Sequence, residues 1–294
     1  MNDAPTLNDA RAFWMVAPGR GEIRAETLWP QPGQVRVRTL ATGISRGTES
    51  LVFAGRVPAS QYAVMRAPLM GGDFPFPVKY GYSAVGLTPD LARVFVLHPH
   101  QDVFDAPQAM CIPVPGTVPT ERAVLAANME TALNILWDSA PLAGERILVI
   151  GAGVVGLLTA ALCARIPATR VTVVDIDPAR EALARQLGCD FAAPESAPDE
   201  QELIVHASAS EAGLRLALAK AAFENDKRRI HQCEHRKEQQ HRRLSHRFHI
   251  TGGNQRGDDA EQTNDGDVRR VPARMDATEH RRQQPLRSHA VKQP

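Results

Sequence analysis

Arg146-Ile-Leu-Val-Ile-Gly-Ala-Gly-Val-Val-Gly156, followed later by Val171-Thr-Val-Val-Asp175, is the stretch on which the fold turns. It reads as strand, tight turn, helix, second strand, acid. Gly151 lets the chain turn sharply out of the strand, Gly153 lets bare backbone approach a pyrophosphate, and Gly156 lets the helix pack closely on the sheet. The phosphates belong at the helix N-terminus, where Val154 and Val155 carry free N–H groups. Asp175 ends the second strand, 24 residues after Gly151, where its carboxylate can take both hydroxyls of an adenosine ribose.

The same stretch has a rival reading. Ile147–Ala164 is 18 uncharged, mostly apolar residues, the threshold length for a membrane span. Three glycines fall within it, and its apolar residues split into a β-branched part and an Ala/Leu part. A fully buried parallel strand followed by a buried helix has the same hydropathy, and that is the reading adopted. No membrane association is expected.

A chain of 294 residues suggests about two domains. The net charge of +1 implies no special partner, but it hides an asymmetry. Residues 224–294 hold 16 Lys+Arg against 11 Asp+Glu, a net of +5, which leaves −4 on the remainder. The cysteines, Cys111, Cys163, Cys189 and Cys233, form no CxxC pair, so neither a zinc knot nor a disulfide framework is suggested. Reduced thiols and a cytoplasmic location are expected. No basic region followed by an apolar run opens the chain, so no secretory signal is expected.

Residues 11–110 read as all-β. Arg11–Val16, Glu22–Thr27, Gln34–Leu40, Tyr82–Gly86 and Arg93–Leu97 are strand candidates, with Val35 and Val37 on one face of the third. Thr120–Ala140 changes to a helical period, with Thr120 as its N-cap. A later helix starts near Pro178 and is stopped by Gly188. Glu202–Ala207 is a further buried strand, and Ser210–Phe223 a further helix.

Three shorter stretches complete the pattern: Gly43-Ile-Ser-Arg-Gly-Thr-Glu49, Lys79-Tyr-Gly-Tyr-Ser83 and Asn128-Met-Glu-Thr131. With Gly151–Gly156 and Asp175, in this order and spacing, the chain resembles the medium-chain dehydrogenase/reductase superfamily over about residues 10–222. Within it, the first stretch is most similar to zinc-free members akin to the bacteriochlorophyllide dehydrogenase branch. The resemblance implies α/β plus β architecture: a GroES-like catalytic domain over 1–119, then a Rossmann dinucleotide-binding domain over 120–223. It also implies an NAD(P)-dependent oxidoreductase of alcohol dehydrogenase type, acting on a small-molecule carbonyl, alcohol or activated double bond.

Zinc-containing relatives carry a Cys ligand where this chain has Ser45, and Gly-His-Glu where it has Gly81-Tyr82-Ser83. A tetrahedral zinc site needs three or four thiolate, imidazole or carboxylate ligands, so no zinc is expected. Hydrogen-bond donors must then stabilise a substrate oxygen as charge develops on it. Tyr82, Ser45, Thr48 and Lys79 are the candidates, because the resemblance places their segments around the catalytic cleft. Each also has a plain structural reading, as packing, turn or solvated residue. The resemblance places Thr131 against the nicotinamide. Asp175 argues for NAD, since a carboxylate there repels a 2′-phosphate, and its neighbour Ile176 is a further cofactor-binding candidate. Arg180 keeps NADP open. His98-Pro-His100 lacks a visible third ligand and reads as structural, and His206 reads as a core histidine.

From Glu224 onward the composition changes. Only 14 of the last 71 residues are apolar, too few for a packed core, and the segment reads as a polar, disordered tail. A Rossmann sheet needs about six strands, and roughly four precede the break. Three readings of the tail stay open: a shifted reading frame or misjoined gene, a genuine disordered extension on a shortened fold, or a basic arm for nucleic acid, which its acidic residues make the weakest. If strands are missing, Glu202–Ala207 is left as an open edge, cofactor binding is weakened, and the chain is a non-catalytic dinucleotide-binding remnant. A homodimer is then expected only if those strands are supplied.

Overall fold

A computed structural model of the chain describes residues 8–29, 31–221 and 229–232. The first part is built from nine strands: β1 (Asp9–Ala17), β2 (Arg20–Thr27), β3 (Gln34–Thr42), β4 (Gly71–Gly72), β5 (Val78–Lys79), β6 (Ala84–Leu87), β7 (Arg93–Val96), β8 (Val103–Pro107) and β9 (Ile112–Pro113). They form two antiparallel sheets, ordered β2-β1-β5-β4 and β8-β3-β6-β7-β9. One short helix, α1 (Thr48–Phe53), follows β3. The alternation expected of Gln34–Leu40 is present: Val37 is fully buried and Arg38 exposed, as a strand with one wet face requires. Val37 packs with Ala84, Val94, Val96 and Phe104 in the core of the larger sheet.

The expected single helix over Thr120–Ala140 is divided in two, α2 (Thr120–Ala123) and α3 (Ala126–Ser139). Thr120 is not the cap. It is the first helical residue, Pro119 precedes it as cap, and no side chain closes the end. The Thr120 hydroxyl instead accepts from Arg93. Proline before the first turn suits this arrangement, because its own extended conformation leads the chain into the helix.

The second part alternates strand and helix: β10 (Arg146–Ile150), α4 (Val154–Cys163), β11 (Arg170–Val174), α5 (Glu181–Gln186), β12 (Asp190–Ala192), β13 (Leu203–His206) and α6 (Glu211–Lys220). A last strand, β14 (Arg229–Gln232), completes it. The sheet is parallel, in the order β12-β11-β10-β13-β14. Numbered within the domain this is 3-2-1-4-5, the doubly wound arrangement, with the order reversing between β10 and β13. Both faces are covered. Ile147, Val149, Val171, Val173, Leu203 and Val205 pack toward Leu157, Ala160 and Ile135 on one side. Leu148, Ile150, Val174 and Ile204 pack toward Ala197 and Ala217 on the other. A strand buried on both faces must be apolar at every position, which explains the unbroken run in the sequence.

That run therefore divides into a five-residue strand and a ten-residue helix. Ten helical residues span about 15 Å, half of a bilayer core. Among the described residues no helix is long and apolar enough to cross a membrane. Cys111, Cys163 and Cys189 are free thiols. Burial pushes the Cys163 and Cys189 thiols up to about 11, so both stay protonated and unreactive at neutral pH.

The α5 entry follows the sequence. Asp177 caps a short 3-10 turn by accepting from the Ala179 amide, Pro178 opens that turn, and Gly188 ends the helix at φ +84°. α6 begins at Glu211 with Ser210 as its cap.

A further expectation needs correction. The edge beside Glu202–Ala207 is not bare, because Arg229–Gln232, from the segment expected to be disordered, pairs with Leu203–His206 in parallel register. The reason is that an unpaired row of backbone N–H and C=O groups is a template for any extended segment, whatever its side chains. Residues 222–228 and 233–294, with the remaining tail expectations, lie outside the described residues. A chain ending at Ala221 should bare the outer edge of β13. Its amides facing β14 should exchange faster with deuterium, and self-association should begin at lower concentration. Unchanged exchange would show that β14 adds nothing to the sheet.

Candidate functional site

The two halves of the candidate site are built by different parts of the chain. The first lies at the carboxyl end of β10. Gly151 leaves the strand at φ +107°, and a Cβ there would come within 2.7 Å of the Ser208 amide nitrogen. Gly156 is tighter still, since a Cβ would sit 1.9 Å from the Gly151 carbonyl oxygen. The turn and the first helical turn thus fit together only as bare backbone. Gly153 is different. It caps α4 with no side-chain hydrogen bond, and a Cβ there would meet nothing within 4 Å. Open space before an uncapped helix N-terminus is the geometry that accepts a phosphate. The donor groups there are the amides at Val154, Val155 and Gly156.

Asp175 closes this half. One carboxylate oxygen accepts from the Ala152 amide at 2.6 Å, the other from the Asp177 amide at 2.9 Å. Two backbone donors fix the carboxylate beside the glycine turn and leave further lone pairs available for ribose hydroxyls. Ile176 beside it is 86 % exposed, and Val154 is 49 % exposed. Two large apolar side chains in water at the mouth of a polar cradle suit a flat ligand. Arg180 turns to Asp177, with Nε 3.2 Å from the carboxylate. Thr131 lies on α3, which packs on α4, and its hydroxyl donates to the Ala127 carbonyl within that helix.

The second half centres on Tyr82, just before β6. Its hydroxyl is hydrogen-bonded with Ser45 and Thr48. Burial raises the phenol above its ordinary range, the two hydroxyls oppose that, and the Glu49 carboxylate adds to it. Three of the four expected residues therefore meet. Lys79 does not join them. Its ammonium donates to Glu26 at 2.6 Å and to Gln101 at 2.8 Å, and lies 5.8 Å from the centre of the Trp14 ring. Ser83 ties this region to the junction between α2 and α3 by donating to the Val124 carbonyl. Gly43 donates to the Ser83 carbonyl at 2.8 Å.

Sequence reasoning missed two residues here. Glu49, only 3 % exposed, accepts from the Ser45 amide at 2.8 Å through one oxygen, and the other lies 2.6 Å from His100 Nε2. His100 Nδ1 is 2.8 Å from the Thr42 hydroxyl. Both residues stood in quoted motifs, but only the fold joins them. His98 is a separate case, stacked on Phe104 at 3.7 Å with Nδ1 2.9 Å from the Pro99 carbonyl. Burial pushes it down to about 4, so it is neutral. His206, at the end of β13, holds the Ser208 hydroxyl at 2.9 Å.

Among the described residues, no three His, Cys, Asp or Glu side chains cluster closely enough to hold a metal ion. The donors around Tyr82 are hydroxyls, which are poor zinc ligands, and the nearby carboxylate and imidazole are engaged with each other.

No family model matches the chain. Its sequence is similar to L-threonine 3-dehydrogenase of Rhizobium rhizogenes (strain K84 / ATCC BAA-868), 33% identical over 120 residues, which is 40% of this chain and 34% of that enzyme. The chain thus spans about a third of the length of the curated relatives it matches. Its structure is similar to that of a short chain alcohol dehydrogenase from E. coli CFT073 complexed with NADH. The TM-score is 0.60 at 16% identity, covering 76% of this chain and 83% of that one. It is equally similar to the quinone oxidoreductase from Thermus thermophilus, solved also with NADPH. There the TM-score is 0.60 at 18% identity, covering 81% of this chain and 84% of that one. At these identities the likeness is one of fold. A GroES-like antiparallel part followed by a Rossmann parallel sheet is the fold of this chain.

Proposed function

We propose that the chain is a zinc-independent, NAD(P)-dependent oxidoreductase acting on a small carbonyl or alcohol. The observation that carries this reading is the Tyr82 hydroxyl, half-buried and hydrogen-bonded with Ser45 and Thr48, on a fold that also presents an uncapped helix N-terminus at the sheet's switch point and a fixed acid at the end of β11. The threonine dehydrogenase similarity supports an alcohol or ketone as substrate, and the structural likenesses support a nicotinamide cofactor.

When bound, the nicotinamide supplies or accepts the hydride. The amides of the Gly151–Gly156 turn hold the pyrophosphate, and Asp175 takes the ribose hydroxyls. Asp175 disfavours a 2′-phosphate by like charge, and Arg180 is already turned to Asp177, so NAD is favoured. Ile176 would offer an apolar face to the adenine, and Thr131, on the helix packed against α4, would be the residue to meet the nicotinamide. In carbonyl reduction Tyr82 donates a hydrogen bond to the substrate oxygen, then its proton as negative charge develops there. Ser45 and Thr48 aim the phenol, and an unpaired buried hydroxyl would cost about 1–3 kcal/mol. Lys79, held by Glu26 and Gln101, serves the β-sheet rather than the reaction. The free thiols suit a cytoplasmic enzyme.

Four substitutions and a pH profile test this. Gly153→Ala should melt like the parent yet bind NADH at least about tenfold more weakly, a loss of about 1.4 kcal/mol. Gly156→Ala should lower stability itself, by about 1–3 kcal/mol or more, since the clash is with backbone. Equal effects of both on melting would remove the phosphate assignment. Asp175→Ala should weaken NAD more than NADP, and a uniform loss would refute the ribose role. Tyr82→Phe should lower carbonyl reduction roughly a hundredfold across a panel of ketones and aldehydes while cofactor affinity holds. Because the phenol is raised, parent turnover in the reductive direction should stay flat through neutral pH and fall only in alkali. Full turnover in Tyr82→Phe would sink the donor role, and NADH binding without any turnover would identify a non-catalytic remnant.

A further inference from the structure

We propose that His206 is a positioning residue for the second half of the dinucleotide. Through Ser208 and Ser210 it fixes the loop Ala207–Ser210 beside the Gly151 turn, where the main chain of that loop carries the nucleoside beyond the pyrophosphate. This rests on the reading of the fold as a nicotinamide dinucleotide site.

Strand order locates the loop. β11, β10 and β13 are neighbours in that order, with strands about 4.8 Å apart. In that reading Asp175, at the end of β11, takes the adenosine ribose, and the turn at the end of β10 takes the pyrophosphate. The next place along the same end of the sheet is the exit of β13, so a ligand laid across the switch point continues over it. The loop abuts the turn directly. A Cβ on Gly151 would stand 2.7 Å from the Ser208 nitrogen and 2.9 Å from the Ala207 carbonyl carbon, and the Ala207 amide donates to the Ile150 carbonyl at 2.8 Å. Ser208, Ala209 and Ser210 are exposed.

The loop is fastened from below. His206 is only 3 % exposed, and its Nε2 lies 2.9 Å from the Ser208 hydroxyl. That hydroxyl lies 2.9 Å from the Ser210 hydroxyl, which accepts from the Gly213 amide at 3.1 Å. All three side chains converge on the space that Gly213 leaves on α6. A Cβ there would be 2.2 Å from Ser208 Oγ, 2.9 Å from His206 Nε2 and 3.0 Å from Ser210 Oγ. The Ser208 hydroxyl is therefore turned under the loop, and what the loop offers the cleft is main chain. Ala209 is held at φ +52°, a left-handed conformation that a residue with a Cβ keeps only where its surroundings impose it.

Capping α6 does not require this arrangement, because Ser210 alone closes that end through Gly213. The sheet does not require it either. Burying an imidazole is costly unless it is hydrogen-bonded, and an apolar side chain would simply continue the buried run Leu203-Ile-Val205. What the histidine adds is a fixed point for Ser208, and so a fixed direction for the main chain beside the phosphate turn. A loop ordered in advance loses little freedom when its ligand arrives.

The test titrates the whole chain with NADH and with ADP, which carries the adenosine ribose and two phosphates but no second nucleoside. H206L removes the imidazole, S208A removes the hydroxyl, and G213A fills the space between them. Each should weaken NADH binding roughly fivefold or more, the worth of about one hydrogen bond, and leave ADP affinity unchanged. H206Q, whose amide can reach the Ser208 hydroxyl, should return NADH affinity toward the parent. S208A changes an exposed loop, so the test stands even if H206L does not fold. Equal losses for NADH and ADP, or altered melting with both affinities intact, would overturn the proposal. A parent that binds neither ligand would overturn the dinucleotide reading itself, and the proposal with it.

Discussion

The close approach of α4 to the end of β10 is the constraint on which the rest depends. Gly156 sits so near the Gly151 carbonyl that one additional carbon has no room. Because the helix is that close, its N-terminus opens directly over the carboxyl end of the sheet. Because the turn is that tight, the Ala152 amide faces Asp175 across the gap between β10 and β11. The same turn touches the Ser208 backbone beyond β13, so three strand ends are held in register by contacts between backbones. A cradle made this way needs little adjustment when a ligand arrives, which is the usual route to affinity without large contact area.

The antiparallel part solves a different problem. Its loop at Ser45 and its turn at Tyr82 come from segments far apart in the chain, and the larger sheet brings them together through the β3–β6 pairing. Hydroxyl contacts and a buried carboxylate–imidazole contact join the two segments, each modest alone but mutually reinforcing in a low-dielectric setting. The cost is sensitivity, since a half-satisfied network is worse than an apolar one.

How much of this could be read from the sequence follows from distance along the chain. Gly151, Gly153, Gly156 and Asp175 lie in one βαβ unit, and their placement follows from local geometry, so it was legible. The Tyr82 cluster was legible only through resemblance, as a set of segments. Lys79 was misplaced within that set because its partner, Glu26, lies 53 residues away on another strand, and nothing local announces an ion pair. The Glu49–His100 contact spans 51 residues and was illegible for the same reason. Thr120 failed as a cap because a hydroxyl-bearing residue at a helix start can serve a neighbour, here Arg93, as readily as its own backbone. β14 was hidden for a further reason. Composition reports on side chains, whereas the outermost strand of a sheet is selected by main-chain groups.

That last point reaches beyond this edge. Ala221 and Arg229 are joined by a short connection, which keeps the incoming strand at a high effective concentration beside β13. At such a concentration even a weakly β-forming segment competes well against a free peptide or another molecule. The edge of the Rossmann sheet is thus guarded by tethering more than by sequence, and substitutions along β14 can accumulate with little consequence so long as the tether keeps its length.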